Sequence, residues 1–417
     1  MKLVIYETET WIDLTPISYI RPVFELKCGM YTLIERIINT IKIKDTGLYV
    51  RDYLCDLVRS RYPYPVNDPS FLQDDLLIID GRCLVDSDFS FTPEREAAWF
   101  FDNELAYAFI KKENVLKHSE NGFKSILDFA VGLPRIETKT KIMHFPWNFV
   151  LENSEMLKKD FISKGKKGIE GKFSNQAVIH GENDVFIAEG ADVHPLAVLD
   201  TNSGPVFIDK DVKIFPFARI EGPCYIGEGT QIMPGASIRE GNTIGPFCRV
   251  GGELEESVIQ GYSNKYHDGF VGHAYIGEFV NLGALTTNSD LKNDYSTVSV
   301  YVNGKPVDTG SLKVGSIIGD HTKTSIGTLF NTGTSVGVMC NITAGGILPK
   351  FFPSFVWYVN NKFMKGFGLG EMIKTAKAAM GRRGKTLSQE EENVIRKVFE
   401  ITAEIRKTYV TKSFRAK

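Results

Sequence analysis

His267 sits in the densest run of polar side chains in this sequence, Gly261-Tyr-Ser-Asn-Lys-Tyr-His-Asp-Gly269. A neutral imidazole in a loop is suited to take a proton from an attacking amine or hydroxyl near neutral pH, which makes His267 the first candidate general base. The stretch that follows, Phe270-Val-Gly-His-Ala-Tyr-Ile-Gly-Glu-Phe-Val-Asn-Leu-Gly-Ala284, adds further polar groups. Lys265, Lys292 and Lys313 lie in or beside the same region and are candidates, on charge and loop position, to hold anionic groups of a ligand.

These residues need a frame, and the frame is a six-residue repeat. Ile208, Ile214, Ile220, Ile226, Ile232, Ile238, Ile244 and Val250 form an aliphatic column that neither a helical nor a strand period produces. Val212, Ala218, Cys224, Thr230, Ala236, Asn242 and Cys248 follow four positions after each aliphatic. One large and one small inward side chain per short strand is the signature of a hexapeptide β-helix. The phase begins at Ile187, Val193 and Leu199 and shifts by three residues through Thr201 to Val206. It breaks over Gly251 to Gly269, resumes at Phe270, Ile276 and Leu282, and breaks again over Thr287 to Ser311. It returns as Leu312, Ile318, Thr324, Phe330, Val336, Ile342 and Leu348. Both breaks read as loops extruded from corners, where a repeat protein carries its binding function.

The spacing predicts an α/β domain ahead of the repeat. Strands are expected at residues 2–6, 47–50, 76–79 and 97–101, and helical runs near 103–112 and 150–161; Thr32 is the expected cap of a helix carrying Leu33, Ile34, Ile37, Ile38 and Ile41. The domains are then 1–160, a Lys- and Gly-rich linker at 161–175, the β-helix at 176–350 and a helical segment at 351–417. In that last segment Ser388 and Glu391 have capping-box spacing, and its plain role is to cover the solenoid end. A net charge of −2 over 417 residues, with no long basic run, speaks against bulk electrostatic binding to nucleic acid or membrane. Six cysteines without a CxxC pair, three of them at small hexad positions, suit a reducing compartment. The acidic start MKLVIYETETWIDL and the lack of any 18-residue apolar run make a cytoplasmic protein the expectation.

The order His267, Phe-Val-Gly-His-Ala-Tyr-Ile-Gly, Val-Asn-Leu-Gly-Ala resembles the acetyltransferase half of the bifunctional uridylyltransferase/acetyltransferase enzymes known as GlmU. The resemblance implies that His267 is the base deprotonating an amino sugar, that Asn281 binds in the acetyl-transfer site, and that acetyl-CoA is the donor. Lys265, Lys292 and Lys313 then become candidates for CoA or sugar phosphates. A substrate-contacting Tyr three residues after the His in better-known members is Phe270 here, with Tyr266 or Tyr275 as candidate replacements. Further pieces resemble a divergent, alternative GlmU-like branch of sugar nucleotidyltransferases: Arg21-Pro22-Val-Phe-Glu25-Leu-Lys27-Cys-Gly29, Asp80-Gly81-Arg82, Pro146-Trp147-Asn148, Thr287-Asn288-Ser-Asp290-Leu-Lys292-Asn293, Gly319-Asp320-His321-Thr322-Lys323, and Pro349-Lys350 with Pro353-Ser354-Phe355.

That resemblance implies a left-handed β-helix, a homotrimer, sugar-phosphate and nucleotide substrates, and a Mg²⁺ ion near Asp80, with Asn148 where an Asp is expected. Arg21, placed by Glu25 or Lys27, and Arg82 are the candidate nucleotide and phosphate contacts. The Gly-rich phosphate loop usual after the first strand is replaced by Glu-Thr-Glu-Thr, which favours loss of the nucleotidyl half over loss of the acetyl half. A monofunctional transferase therefore stands as an alternative. A zinc hydratase of the γ-carbonic anhydrase type, using three of His180, His194, His267, His273 and His321, stands as a more distant one.

Overall fold

A computed structural model describes residues 1–415 except 92–93, 182–183 and 344, with side chains through residue 411. Two compact units emerge: residues 1–11, 21–26 and 31–144 form the first, and 12–20, 27–30 and 145–417 the second.

In the first unit six strands form one sheet in the order Thr46–Tyr49, Lys2–Tyr6, Leu76–Asp80, Glu104–Ile110, Ala97–Phe101, Arg135–Glu137. Lys2–Tyr6 runs parallel to both neighbours, and Glu104–Ile110 is antiparallel to both of its own. The last of these strands corrects the helical reading of 103–112. Glu-Leu-Ala-Tyr-Ala-Phe-Ile places Tyr107, Phe109 and Ile110 among helix formers, and cross-strand pairing with Leu76–Asp80 buries it from Ala106 onward. Thr32 does cap Leu33–Ile41, in a capping box with Glu35.

The second unit is a parallel β-solenoid whose longest face has ten strands, from Gly168–Ile169 to Phe351–Phe352. The aliphatic column fills its interior; Ile208, Ile214, Ile220, Ile226, Ile232, Ile238, Ile244 and Val250 are all fully buried. The solenoid is longer than the hexads indicate at both ends. Gly168–Ile169 and Lys172–Phe173, inside the expected linker, pair in register with Phe186–Ile187 and Asp192–Val193. As the terminal coil, this segment has a neighbour on one side only, so its sequence need not look apolar. Beyond residue 350, Phe351–Phe352 and Trp357–Val359 continue two faces, with Phe352 and Val356 in the interior, while Phe355, in the left-handed region, packs its ring against Phe399.

The two phase breaks have opposite causes. Thr287–Asn288 still pair with Leu329–Phe330, and the chain leaves the solenoid only beyond them, as an antiparallel hairpin of Ser299–Val302 and Lys305–Asp308. Gly251 to Gly269 does not leave it. Its strands Glu253–Glu255, Val258–Gly261 and Asn264–Lys265 pair in register with the coil below, and Val250 aligns with Lys265 after fifteen residues where Ile232 and Val250 are eighteen apart. A shortened corner interrupts a six-residue count just as an insertion does. Val271, not Phe270, then takes the inward position above Leu254, and Leu312 is exposed. After the last coil come helices Leu369–Gly381, Gln389–Ile401 and Ala403–Arg415, the second opening with the Ser388–Glu391 capping box. No described helix is long and apolar enough to cross a membrane.

Candidate active site

His267 stands on an exposed corner of the solenoid, its ring 4.9 Å from that of the equally exposed Tyr266. Asn264, three residues earlier on the adjoining face, donates from its amide to Asn281 Oδ1 at 3.0 Å, one coil along. The register brings Arg249, Asn264, Asn281, Lys323 and Asn341 into one outward column, because each precedes an inward residue of its coil. Helix Leu369–Gly381 runs beside this face, and Arg383 just after it donates to Asn264 Oδ1 and, at 3.2 Å, to the Phe247 carbonyl.

Between helix and face lies a cavity of about 280 Å³ lined by Tyr262, Asn264, Asn281, Lys323, Arg382 and Arg383, among others. A second, of about 250 Å³, shares Lys323 and Thr375 with it. Lys323 Nζ donates to the His321 carbonyl at 2.7 Å, and burial brings its amine down to about 8. Among the described residues no carboxylate pairs with it. Phe247, Tyr262, Phe279 and His321 stack ring on ring along the neighbouring corner, at centroid spacings of 5.5, 5.0 and 5.1 Å. A groove with cationic groups, carboxamides and an aromatic wall can hold a ligand that carries phosphate. Sequence reading found Asn281 here but missed Asn264, Lys323 and Arg383. The signal lay in the residue preceding each inward position on this one face.

Other expected contacts move. Lys265 is buried and points inward, so it is removed from the ligand side. Tyr275 is fully buried; its hydroxyl donates to Gln260 Oε1 at 2.7 Å and accepts from the Lys27 main-chain N–H at 3.0 Å, so it cannot replace the missing Tyr. Lys292 binds within its own loop, to Ser296 and Asp294, and Lys313 pairs with Glu255 at 3.7 Å. His273 is no free metal ligand either: it lies between Asp290 (Nδ1 to Oδ2, 2.8 Å) and Glu256 (Nε2 to Oε2, 2.9 Å).

Burial opposes charge on His273, yet the two carboxylates prevail and raise the imidazole to about 9. A folded-state value above the unfolded one stabilises fully below the unfolded value, and that gain is lost as pH rises through about 9. Glu256 and Asp290 are held below their ordinary range, so their share is lost on acidification instead. Solenoid stability followed by urea denaturation should therefore fall from neutral pH toward pH 9, and His273→Gln should flatten that slope.

In the first unit, Asp80 ends strand Leu76–Asp80 and is almost completely buried. Arg82 occupies both of its oxygens, donating from Nε to Oδ1 at 3.1 Å and from Nη2 to Oδ2 at 2.8 Å, and it also reaches Glu104 at 2.7 Å. Asn148, in the second unit, spends Oδ1 on the Phe145 main-chain N–H at 2.8 Å, capping helix Pro146–Leu151. Neither residue fits the Mg²⁺ role expected of it, and Arg82 does not fit a phosphate role. Among the described residues no group of three His, Cys, Asp or Glu side chains is placed to hold a metal. Arg21 and Glu25 are buried too, Glu25 paired with Arg61 at 2.6 Å and the Arg21 carbonyl accepting from Arg51. Just past the first strand, where a phosphate loop is usual, the buried Glu7 carboxylate accepts from the Val23 N–H at 2.6 Å and lies 3.7 Å from Arg51 Nη1. Burial raises its carboxyl, and Arg51 and main-chain N–H groups offset part of that rise.

Residues 3–167 match the sugar nucleotidyl transferase family model. Over 124 residues the chain is 35% identical to a bifunctional sugar-1-phosphate nucleotidylyltransferase/acetyltransferase of Sulfurisphaera tokodaii, covering 30% of each chain. Over 253 residues it is 30% identical to the bifunctional protein GlmU of Methanocaldococcus jannaschii, covering 60% of this chain and 56% of that one. The GlmU-like resemblance carried by the motifs thus holds. The chain nevertheless spans between about a third and just over half of these curated relatives. Among solved structures, an Arabidopsis UDP-N-acetylglucosamine acyltransferase aligns with 58% of this chain and 95% of its own at 13% identity, with a TM-score of 0.22, too low to bear on function.

Proposed function

We propose that the solenoid transfers an acetyl group from acetyl-CoA to the amine of an amino-sugar phosphate. The N-terminal domain would join such a sugar 1-phosphate to a nucleotide, giving a nucleotide sugar of the UDP-N-acetylglucosamine kind. The observation that carries this reading is the exposed His267 corner beside the face that bears Asn264 and Asn281, with cationic Lys323, Arg382 and Arg383 around the adjoining groove. His267 takes the proton as the amine nitrogen attacks the thioester carbonyl, Asn281 orients a reactant, and the thiolate leaves with the proton returned. The groove cations meet the phosphates of CoA. Acetyl-CoA and nucleotides as substrates fit a cytoplasmic enzyme.

A second reading keeps only the acetyl transfer. It is favoured by Glu7, a carboxylate where a nucleotide's phosphates would need N–H donors, and by Arg82 filling Asp80. Incubation with glucosamine-1-phosphate, acetyl-CoA, UTP and Mg²⁺, then with each omitted in turn, separates the two. Pyrophosphate release together with thiol release supports both activities, thiol release alone supports the second reading, and no acetylation of any amino-sugar phosphate overturns both.

Copies of the chain are expected to meet as a homotrimer along the His267 edge. Leu196, Phe217 and Leu285 occupy that corner in other coils, each in the left-handed backbone region and each exposed, Phe217 to 67%. Exposed apolar side chains aligned along an edge mark an association surface. Phe217→Glu should shift the mass measured by light scattering from trimer toward monomer, and a monomeric parent would remove the trimer.

A further inference from the structure

The column below His267 contains a residue the fold does not call for. Ile214, Ile232 and Val250 align in register on the inward side of one face, and the next coil supplies Lys265 at that position. Lys265 is 3% exposed, and its ammonium donates to the main-chain carbonyl of His267 at 2.8 Å. Burying an ammonium is costly, and an aliphatic residue would fill the column without that cost. The coil below is cut to make room. Gly251 and Gly252 lie under the corner, where an added Cβ would stand 2.2 Å from the Tyr266 carbonyl oxygen and 2.6 Å from Lys265 Nζ respectively. Gly252 is also in the left-handed region, with φ of 65°. A shortened coil, two glycines and an inward lysine converge on the four residues that carry the imidazole.

We infer that Lys265 is a positioning residue: through the His267 carbonyl it fixes the corner and so the direction in which the imidazole is presented. This rests on His267 being the base of the proposed transfer, but its structural half stands alone. The ammonium reaches the main chain from inside the solenoid and leaves the ring free to meet substrate. Burial lowers the amine to about 8, with Asp268 and Glu253 as the charges that oppose the shift, so the donor remains charged at neutral pH.

Lys265→Met and Lys265→Leu, the latter matching the aliphatic column, test this by two readouts. Main-chain amide exchange at Glu253 and Leu285, whose N–H groups donate to the Gly269 and Asp268 carbonyls of the corner, should rise at least about tenfold, with the coil around Ile232 unchanged. For acetyl transfer, kcat should fall about 10- to 100-fold with both KM values within about twofold, as expected when a base is misplaced and binding is kept. A folded variant whose corner exchange matches the parent overturns the inference, as does an unchanged kcat. If the parent itself transfers no acetyl group, the exchange measurement decides alone, and the failure belongs to the proposed reaction instead.

Discussion

His267→Ala should lower kcat for acetyl transfer by about 10²- to 10⁴-fold, the range expected when a general base is removed, with the KM for acetyl-CoA little changed. The ring is exposed on its corner, and Lys265 bonds the main chain of His267 and not the ring, so the corner survives the change. Stability should then move by no more than about 0.5 kcal/mol, as for ordinary surface substitutions. Those two outcomes together distinguish a base from a structural residue. Thiol release measured against urea denaturation of the same preparation tests both, and a variant retaining full kcat would remove His267 from the mechanism.

Arg82→Leu should destabilise the first unit by about 3–5 kcal/mol, the cost of leaving a buried carboxylate without its partner. Asp80 has both oxygens on Arg82, and the pair is screened from water. For a domain whose whole stability is typically about 5–15 kcal/mol, that loss is a large share. Asp80→Leu combined with Arg82→Leu should recover much of it, because replacing both partners removes the uncompensated charge. Urea denaturation of the two variants tests the pairing. If the single variant unfolds at the parent's midpoint, Asp80 is not held by Arg82, and its availability to a metal reopens.

The solenoid was legible because its interior demands the same side-chain size every sixth residue, and that demand is local. His267 was legible as a loop imidazole with a known neighbourhood. What escaped depended on register between distant residues. Asn264, Asn281 and Lys323 align only after the shortened coil and the extruded hairpin have both been accounted for, and sequence spacing treats those two events alike. Lys265 counted as a loop cation until pairing with Val250 turned it inward. Asp80 was read by its position at a strand end, but its availability was decided by Arg82 two residues later. Tyr275 was misplaced for a similar reason, since its partner Gln260 lies fifteen residues back.

The first coil of the solenoid also has a free strand edge. A parallel sheet that simply stops offers a row of unpaired amide groups to any identical edge, and a repeat structure is especially able to continue itself that way. Residues 165–170 are all exposed, and Lys166 and Lys172 flank the pairing groups with positive charge, while Lys167 is paired with Asp184 at 3.0 Å. The first coil of a second copy, approaching edge to edge, would bring like charges together before its hydrogen bonds formed. The segment whose composition resembles a spacer would thus disfavour edge-to-edge pairing between the first coils of two copies.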